Sequence, residues 1–175
     1  MTDQKPILTG AEKALLAQLE QAGQAAGAGE FATAGLPTRR VESYHYSDLR
    51  SLLTKVPPLA VAADVAPGTE SPAPYLSDAV CLEMINGRVF LRGSMPEGVN
   101  ARKASGSVLS ERDDALVRLN RGLAGEALYL QFDGRVGRTV LVSRHLSGDA
   151  CHVVDGVDVI VAPGASGTLV EMFDS

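Results

Sequence analysis

The feature that most restricts the fold is the strand-rich sequence from residue 127 to residue 175. Four short apolar segments, "ALYLQF", "RTVLVSRHL", "DVIVAP" and "TLVEMF", are separated there by Gly, Asp and Pro. Along the first segment, Leu128, Leu130 and Phe132 recur at every second position, which places them on one face of a strand. Short, evenly spaced strands are typical of a sandwich, a barrel or the first turns of a β-solenoid.

The end of the sequence bears on the choice among these folds. The chain stops at Ser175, directly after an apolar segment, whereas solenoids need terminal caps. The sequence therefore looks cut short. If the fold is a solenoid, its end is uncapped, and we expect this end to form homo-oligomers because it exposes unpaired backbone groups. Whether the native chain continues beyond Ser175 stays open.

Composition limits the class of protein. The chain has 175 residues, of which 45% are hydrophobic, and its net charge is −5. A net negative charge argues against general binding to nucleic acid or to a membrane surface. The two cysteines, Cys81 and Cys151, form no CxxC pair, and the N-terminus lacks the features of a secretory signal. A cytoplasmic protein is expected.

Local signals divide the chain into three parts. Thr9 and Glu12 form a capping-box pattern that predicts a helix over residues 9–22, and Asn86-Gly87 between two apolar runs predicts a type I′ hairpin. We expect an N-terminal helical region with a Pro/Gly-rich tether over 1–78. A hairpin and a helix that begins near Asp113 or Asp114 would occupy 79–126, and the first solenoid rungs 127–175.

Three further stretches give weaker signals. The Gly- and Ala-rich stretch 22–35 predicts a frayed helix end or a flexible connection, since each Gly costs roughly 1 kcal/mol in a helix relative to Ala. Ser47 is expected to cap a short helix that ends before Pro57-Pro58. Residues 64–78 hold much Pro, Gly and Ser and predict a loop or tether.

The sequence contains no recognisable catalytic or metal-binding constellation. Cys151 and His152 are adjacent, so on a strand they would point to opposite faces and could not easily share a metal. No GxSxG elbow and no complete phosphate-binding loop occurs. We therefore assign no catalytic, cofactor-binding or metal-binding residue, and the roles of His45, His145 and His152 stay open.

The stretch "GLPTRRVESYHYSDLRSLL", residues 35–53, combines basic, acidic and aromatic residues. It could form a ligand site in which arginines grip an anion and tyrosines stack on it. The favoured alternative is a structural clamp, because two large aromatics within three positions are expected to hold elements together. The residues of this clamp would be Arg39, Arg40, Glu42, Tyr44 and Tyr46.

This stretch resembles the N-terminal signature of SufD-type iron–sulfur cluster assembly proteins. The matching positions are Gly35, Leu36, Pro37, Thr38, Arg39, Arg40, Glu42, Tyr46, Ser47, Asp48 and Leu49. Tyr44 replaces the Trp that is usual in the family, and His45 replaces a basic residue. Further segments, "INGRVF", "PEGV", "DALVRLNRGLAGEALYLQF" and "VIVAPGASGTLVEMF", are similar to the family in the same order.

The resemblance implies a fold and a function. The fold would be mixed α and β, with an N-terminal helical and hairpin region followed by a right-handed parallel β-helix. The function would be that of a non-catalytic scaffold subunit of the SufBCD complex, supporting cluster assembly or iron acquisition. Its partners would be SufB-like and SufC-like subunits, and ATP hydrolysis would belong to SufC. The clamp would then fasten the helical region to the solenoid.

Two alternatives belong to other classes of protein. One is a self-contained β-rich adaptor that binds a partner through an exposed sheet edge. The other is a small metal- or sugar-handling β-barrel enzyme, for which His145, His152 and Glu171 form the plausible polar cluster. No cofactor is expected in this chain under the scaffold interpretation.

Overall fold

The computed structural model describes residues 7–60, 76, 78–105, 114–146 and 151–174. The chain divides into two compact units. Unit 1 comprises Met1–Leu59, Ser110–Leu123 and Ala150–His152. Unit 2 comprises Ala60–Leu109, Ala124–Asp149 and Val153–Ser175. Most of the tether expected at 64–78 lies outside the described residues.

Unit 1 is helical. Its elements are α1 (Gly10–Gln21), α2 (Ala25–Ala34), a 3₁₀ turn (Glu42–Tyr44), α3 (Leu49–Leu52) and α4 (Ala115–Leu123). Helix α1 packs against both α2 and α4. No helix in the described ranges is long and apolar enough to cross a membrane.

Helix α1 confirms the capping-box prediction. Glu12 N–H donates to Thr9 Oγ1 over 3.2 Å, and Thr9 N–H donates to Glu12 Oε2 over 2.7 Å. Each side chain thus satisfies a backbone donor that the first helical turn leaves free. The apolar positions Leu15 and Leu19 are buried, which fixes the face that α1 presents to the core of unit 1.

The prediction of a frayed or flexible stretch at 22–35 is wrong, since residues 25–34 form helix α2. Alanine is the best helix former, and tertiary packing overrides the cost of isolated glycines. Ala28 and Phe31 are buried and supply that packing. A methyl group at Gly27 or Gly29 would meet nothing within 4 Å, so both glycines lie where the helix faces open space.

The two remaining helices begin at aspartates. Asp48, and not Ser47 as expected, caps α3 by accepting from Ser51 N–H over 3.3 Å. Asp114 caps α4 by accepting from Leu116 N–H over 2.9 Å, as its place at the start of the predicted helix suggested. A carboxylate is favourable at a helix N-terminus because it meets the positive end of the helix dipole.

The described residues of unit 2 form seven strands in two sheets. The strands are β1 (Val80–Ile85), β2 (Arg88–Leu91), β3 (Val99–Ala104), β4 (Ala127–Phe132), β5 (Arg135–His145), β6 (Gly156–Val161) and β7 (Ser166–Asp174). One sheet has the order β2-β1-β5-β7 and the other has the order β3-β4-β6. Neither sheet closes on itself, so the fold of the described strands is not a barrel.

The prediction of a right-handed parallel β-helix is wrong, although the mixed α and β composition of the fold is confirmed. Strands β4 to β7 alternate between the sheets and pair in parallel, β4 with β6 and β5 with β7. Each sheet is nevertheless mixed, because β1 pairs antiparallel with β2 and β3 pairs antiparallel with β4. The sheets are also short, with four and three strands.

The hairpin between β1 and β2 confirms the Asn-Gly signal. Asn86 has φ of 49° and Gly87 has φ of 79°, the two positive values that a type I′ turn requires. This turn sets the antiparallel register in which Met84 pairs with Val89. Both side chains are buried in the core that the two sheets share with Leu130 and Phe132.

We predict that Gly87→Ala lowers the free energy of unfolding of unit 2 by about 1–2 kcal/mol, the cost of a left-handed conformation for a residue with a Cβ atom. The new methyl group would also lie 3.2 Å from Val153 Cγ1. Gly137→Ala is the matched control, because a methyl group there meets nothing within 4 Å and its φ is not positive. Urea unfolding measures both variants, and equal stability of the two would contradict the role given to the turn.

Candidate functional site

The buried carboxylate of Glu12, on helix α1, holds the segment 35–53 in place within unit 1. Leu36 N–H donates to Glu12 Oε1 over 2.8 Å, which fixes the start of the segment. Gly35 has φ of 65°, and a methyl group at this position would lie 2.7 Å from Glu12 Oε1. A glycine is therefore required here both by the backbone conformation and by the close approach of the carboxylate.

Arg50 attaches the other end of the segment to the same carboxylate. Its Nε lies 3.0 Å from Glu12 Oε1, and its Nη2 donates to Glu12 Oε2 over 3.1 Å. The same Nη2 also donates to the carbonyl of Ile7 over 2.7 Å. One carboxylate thus holds two positions of the segment that are 14 residues apart in sequence, Leu36 and Arg50.

Glu12 is completely buried yet favours its charged form. Burial by itself raises the pKa of the Glu12 carboxyl, but hydrogen bonds from Thr9 and Leu36 N–H and the charge of Arg50 outweigh it. The net effect holds the pKa of Glu12 below its ordinary value. A buried charge is tolerated only when it is paired and hydrogen-bonded, and Glu12 meets both conditions.

Tyr44 fastens the middle of the segment to α4. Its hydroxyl donates to Asp114 Oδ1 over 2.7 Å, and the same oxygen accepts from the first backbone N–H groups of α4. Burial, the hydrogen bond to Asp114 and the negative charge of Asp114 raise the pKa of Tyr44. The cap of α4 and the position of the segment therefore depend on one carboxylate oxygen.

The prediction of a clamp between the helical region and a solenoid is wrong, although Tyr44 does hold the segment against α4. Arg39, Arg40 and Glu42 are exposed, and Tyr46 is 94% exposed. The attachment that exists also differs from the one expected, because Tyr44 and Asp114 both belong to unit 1. This contact lies within the helical unit.

Four of the exposed side chains, Arg39, Arg40, His45 and Tyr46, define the outer surface of the segment, and the exposed carboxylate of Glu42 lies between them in sequence. Consecutive turns fix their backbone: Val41 N–H donates to the Thr38 carbonyl, and Ser47 N–H donates to the Tyr44 carbonyl. The rings of His45 and Tyr46 meet edge to face, with centroids 5.0 Å apart. The surface therefore combines two guanidinium groups and two aromatic rings on an anchored backbone.

The cluster required by the enzyme alternative does not assemble. His145 Nε2 lies 2.9 Å from Ser143 Oγ, whereas Glu171 Oε1 accepts from Arg144 Nη2 over 3.2 Å. Glu171 is the register partner of Val142, so the two side chains lie on the same face of the sheet. Alternate residues of a strand share a face, so Arg144 lies on this face and His145 on the opposite one. Glu171 and His145 thus lie on opposite faces of one sheet.

The other nucleophilic and metal-ligating candidates lie in structural settings. Ser143 is fully buried, so its hydroxyl is closed to a substrate. His152 Nδ1 lies 2.8 Å from the Pro57 carbonyl, within unit 1. Burial and the charge of Glu83 raise the pKa of the Cys81 thiol, which disfavours the reactive thiolate. No group of three metal-ligating side chains assembles within the described parts of the chain.

Sequence reasoning missed two charged clusters of unit 2. Arg144 contacts both Asp155 and Glu171, and its guanidinium lies 5.2 Å from the centroid of the Phe173 ring. Glu83 is buried, and its Oε2 lies 2.8 Å from Arg92 Nε. The members of each cluster are distant in sequence or separated by a turn, so no local spacing could have indicated these contacts.

Comparison with known proteins gives no family assignment, since no protein-family model and no curated protein matches the chain.

We predict that Glu12→Gln lowers the free energy of unfolding of unit 1 by about 2 kcal/mol near neutral pH, the value of hydrogen bonds to a charged group. The folded-state pKa of Glu12 is lowered, so its contribution is fully present above the ordinary value of 4.5 and is lost as the pH falls through the folded value. The difference between the two proteins should therefore shrink in acid.

Urea unfolding followed by far-UV circular dichroism at a series of pH values measures this difference. Glu20→Gln is the matched control, because Glu20 is exposed on the same helix. A difference between wild type and Glu12→Gln that stayed constant down to the acid-unfolded state would show that the charge of Glu12 does not stabilise the fold.

We predict that Tyr44→Phe lowers the free energy of unfolding by about 0.5–1.5 kcal/mol, through loss of one hydrogen bond. Because the pKa of Tyr44 is raised in the folded state, its contribution is present below the ordinary value of 10.0 and is lost as the pH rises through the folded value. Ultraviolet titration of the four tyrosines should lose a component that titrates above the ordinary pKa of 10.0 in this variant. Tyr46→Phe, at an exposed position, should change neither the free energy of unfolding nor this alkaline component. If both variants had the same effect, the hydrogen bond between Tyr44 and Asp114 would not stabilise the fold.

Proposed function

We propose that the chain acts as a non-catalytic, SufD-like scaffold subunit of a cytoplasmic SufBCD complex, in iron–sulfur cluster assembly or iron acquisition. Its partners would be SufB-like and SufC-like subunits, and the ATPase activity would belong to the SufC-like subunit. The resemblance of residues 35–53 to the SufD-type signature supports this identity. The main structural support is that the backbone of this segment is anchored, whereas the side chains of Arg39, Arg40 and Tyr46 are exposed.

This arrangement is suited to recognition of another protein. Arginine and tyrosine are enriched in the energetically dominant positions of protein interfaces, and charged residues there guide association. The segment is held by Glu12 at both ends and by Asp114 in the middle. An anchored backbone loses less conformational freedom when a partner binds, so more of the contact energy appears as affinity.

The chemistry of the described polar clusters also favours a scaffold over an enzyme. The residues named for the enzyme alternative are divided between two faces of a sheet or used in structural contacts. The exposed basic and aromatic side chains lie in turns of unit 1. The adaptor alternative keeps its support, because it requires only an exposed surface.

We predict that the native protein, tagged and purified from its source cells, retains an ABC-type ATPase and a SufB-like subunit. Arg39→Glu/Arg40→Glu should reduce the recovery of at least one of these partners. Lys13→Glu/Lys55→Glu changes the charge by the same amount at exposed positions of the same unit and should leave the recovery unchanged. Quantitative mass spectrometry of the eluates measures all three samples.

Two outcomes count against the proposal. Absence of both partners from the wild-type eluate would contradict the SufBCD assignment and leave the adaptor interpretation. Equal loss in the two double variants would mean that net charge, and not the outer surface of the segment, determines binding.

A further inference from the structure

Unit 1 contains a cleft with an apolar interior. The cleft lies between α2 and α4 and encloses about 370 Å³ of empty space, part of which is open to solvent. Its most buried lining side chains are those of Leu19 and Phe31, which are 1% and 9% exposed. Ala34 and Leu119 add further aliphatic surface. The interior is therefore suited to an aliphatic group.

Two opposite charges lie at the mouth of this cleft. Glu30 and Arg118 both line it, and their side chains are 69% and 43% exposed. Arg118 Nε lies 3.9 Å from Glu30 Oε2, which is beyond hydrogen-bonding distance. The two groups therefore attract each other without filling each other's hydrogen-bonding capacity. A guanidinium has several N–H donors, so Arg118 can bind a further acceptor beside the contacts that it already makes.

Gly27 helps to keep the cleft open. It lies in the first turn of α2 and lines the cleft, and a methyl group at this position would meet nothing within 4 Å. Glycine is unfavourable in a helix relative to alanine, and neither a positive φ nor a close contact requires it here. A side chain at this position would take up space in the cleft, so an occupant of the cleft would account for the glycine.

We propose that this cleft binds a free α-amino acid with an aliphatic side chain, such as leucine. The ligand's ammonium group would contact the Glu30 carboxylate, and its carboxylate would contact the Arg118 guanidinium. Its side chain would pack against Leu19 and Phe31. The ammonium and carboxylate groups of an α-amino acid are attached to one carbon atom, so their spacing matches two protein charges that lie 3.9 Å apart.

Ligands without both charges fit the cleft less well. An aliphatic carboxylate would place its negative charge beside Glu30, and an aliphatic amine would place its positive charge beside Arg118. Like charges in contact cost free energy. An uncharged apolar group, such as a side chain of a partner protein, would leave both charges at the mouth unused. A zwitterion with an aliphatic side chain satisfies the mouth and the interior together.

The inference is independent of the iron–sulfur assignment. It uses none of the side chains that were assigned to partner binding, which are those of Arg39, Arg40 and Tyr46. A ligand that binds only the folded form of unit 1 also stabilises it by mass action.

Nuclear magnetic resonance of the full chain, labelled with ¹⁵N and titrated with L-leucine, tests the proposal. We expect saturable shifts of the backbone N–H signals of Gly27, Glu30 and Leu119. The Kd should be on the order of 1 mM, because exposed ion pairs contribute little. Two analogues that lack one charge, 4-methylpentanoate and 3-methylbutylamine, should bind roughly tenfold more weakly, the effect of one lost hydrogen bond to a charged group.

Gly27→Leu fills the cleft and should abolish leucine binding. Gly29→Leu is the matched control, because Gly29 is exposed on the same helix and a methyl group there also meets nothing within 4 Å. This control should bind leucine as wild type does. Circular dichroism checks that each variant folds, and Gly27→Ala, which should weaken binding, replaces Gly27→Leu if the latter does not fold.

Glu30→Gln tests the role of charge at the mouth. This change removes the carboxylate that repels 4-methylpentanoate and attracts the ammonium group of leucine. The two affinities should therefore become similar in this variant.

Three results would overturn the proposal. Absence of saturable shifts up to the solubility limit of leucine would exclude the site. Equal affinity of the wild-type chain for leucine and 4-methylpentanoate would show that the mouth does not select a zwitterion and would favour a purely apolar occupant. A folded Gly27 variant that binds leucine as wild type does would place the ligand elsewhere. Recovery of SufB-like and SufC-like partners is a separate measurement, so the two proposals can fail independently.

Discussion

The organisation of unit 1 depends on the charge of one buried carboxylate. Glu12 accepts hydrogen bonds from the backbone at Thr9 and Leu36 and from the side chain of Arg50. These donors come from the start of α1, the end of the α2 connection and α3, so three distant stretches of sequence converge on two oxygen atoms. A buried carboxylate without these partners would cost several kcal/mol. The need to satisfy it therefore selects one arrangement of the helices over others.

Local signals predicted elements well where the physical cause was itself local. The capping box of α1, the Asn86-Gly87 turn and the alternation of Leu128, Leu130 and Phe132 all act within a few residues, and the structure has the expected helix, hairpin and strand. Helix α2 was missed because its glycines argue against a helix, while its stability comes from burial of Phe31 in a core that sequence spacing does not reveal. The strand partners were missed for the same reason: a period of two residues identifies the faces of a strand but not its neighbours.

The candidate site shows the same limit at the level of side chains. The sequence placed Glu12 in a capping box, but its second role requires Leu36 and Arg50, which approach it only in the folded chain. Tyr44 and Tyr46 are two positions apart and chemically identical, yet one binds Asp114 and the other is exposed. The 3₁₀ turn at Glu42–Tyr44 makes the two side chains point in different directions. The backbone hydrogen bonds of this turn cannot be predicted from residue type.

The outer surface of the segment 35–53 attracts a partner mainly through its side chains. The N–H groups of Leu36, Val41 and Ser47 are hydrogen-bonded within unit 1, so these backbone groups are not free to bind a second chain. A partner therefore gains from exposed side chains such as those of Arg39, Arg40 and Tyr46. A surface of this kind selects its partner by the shape and charge of its side chains.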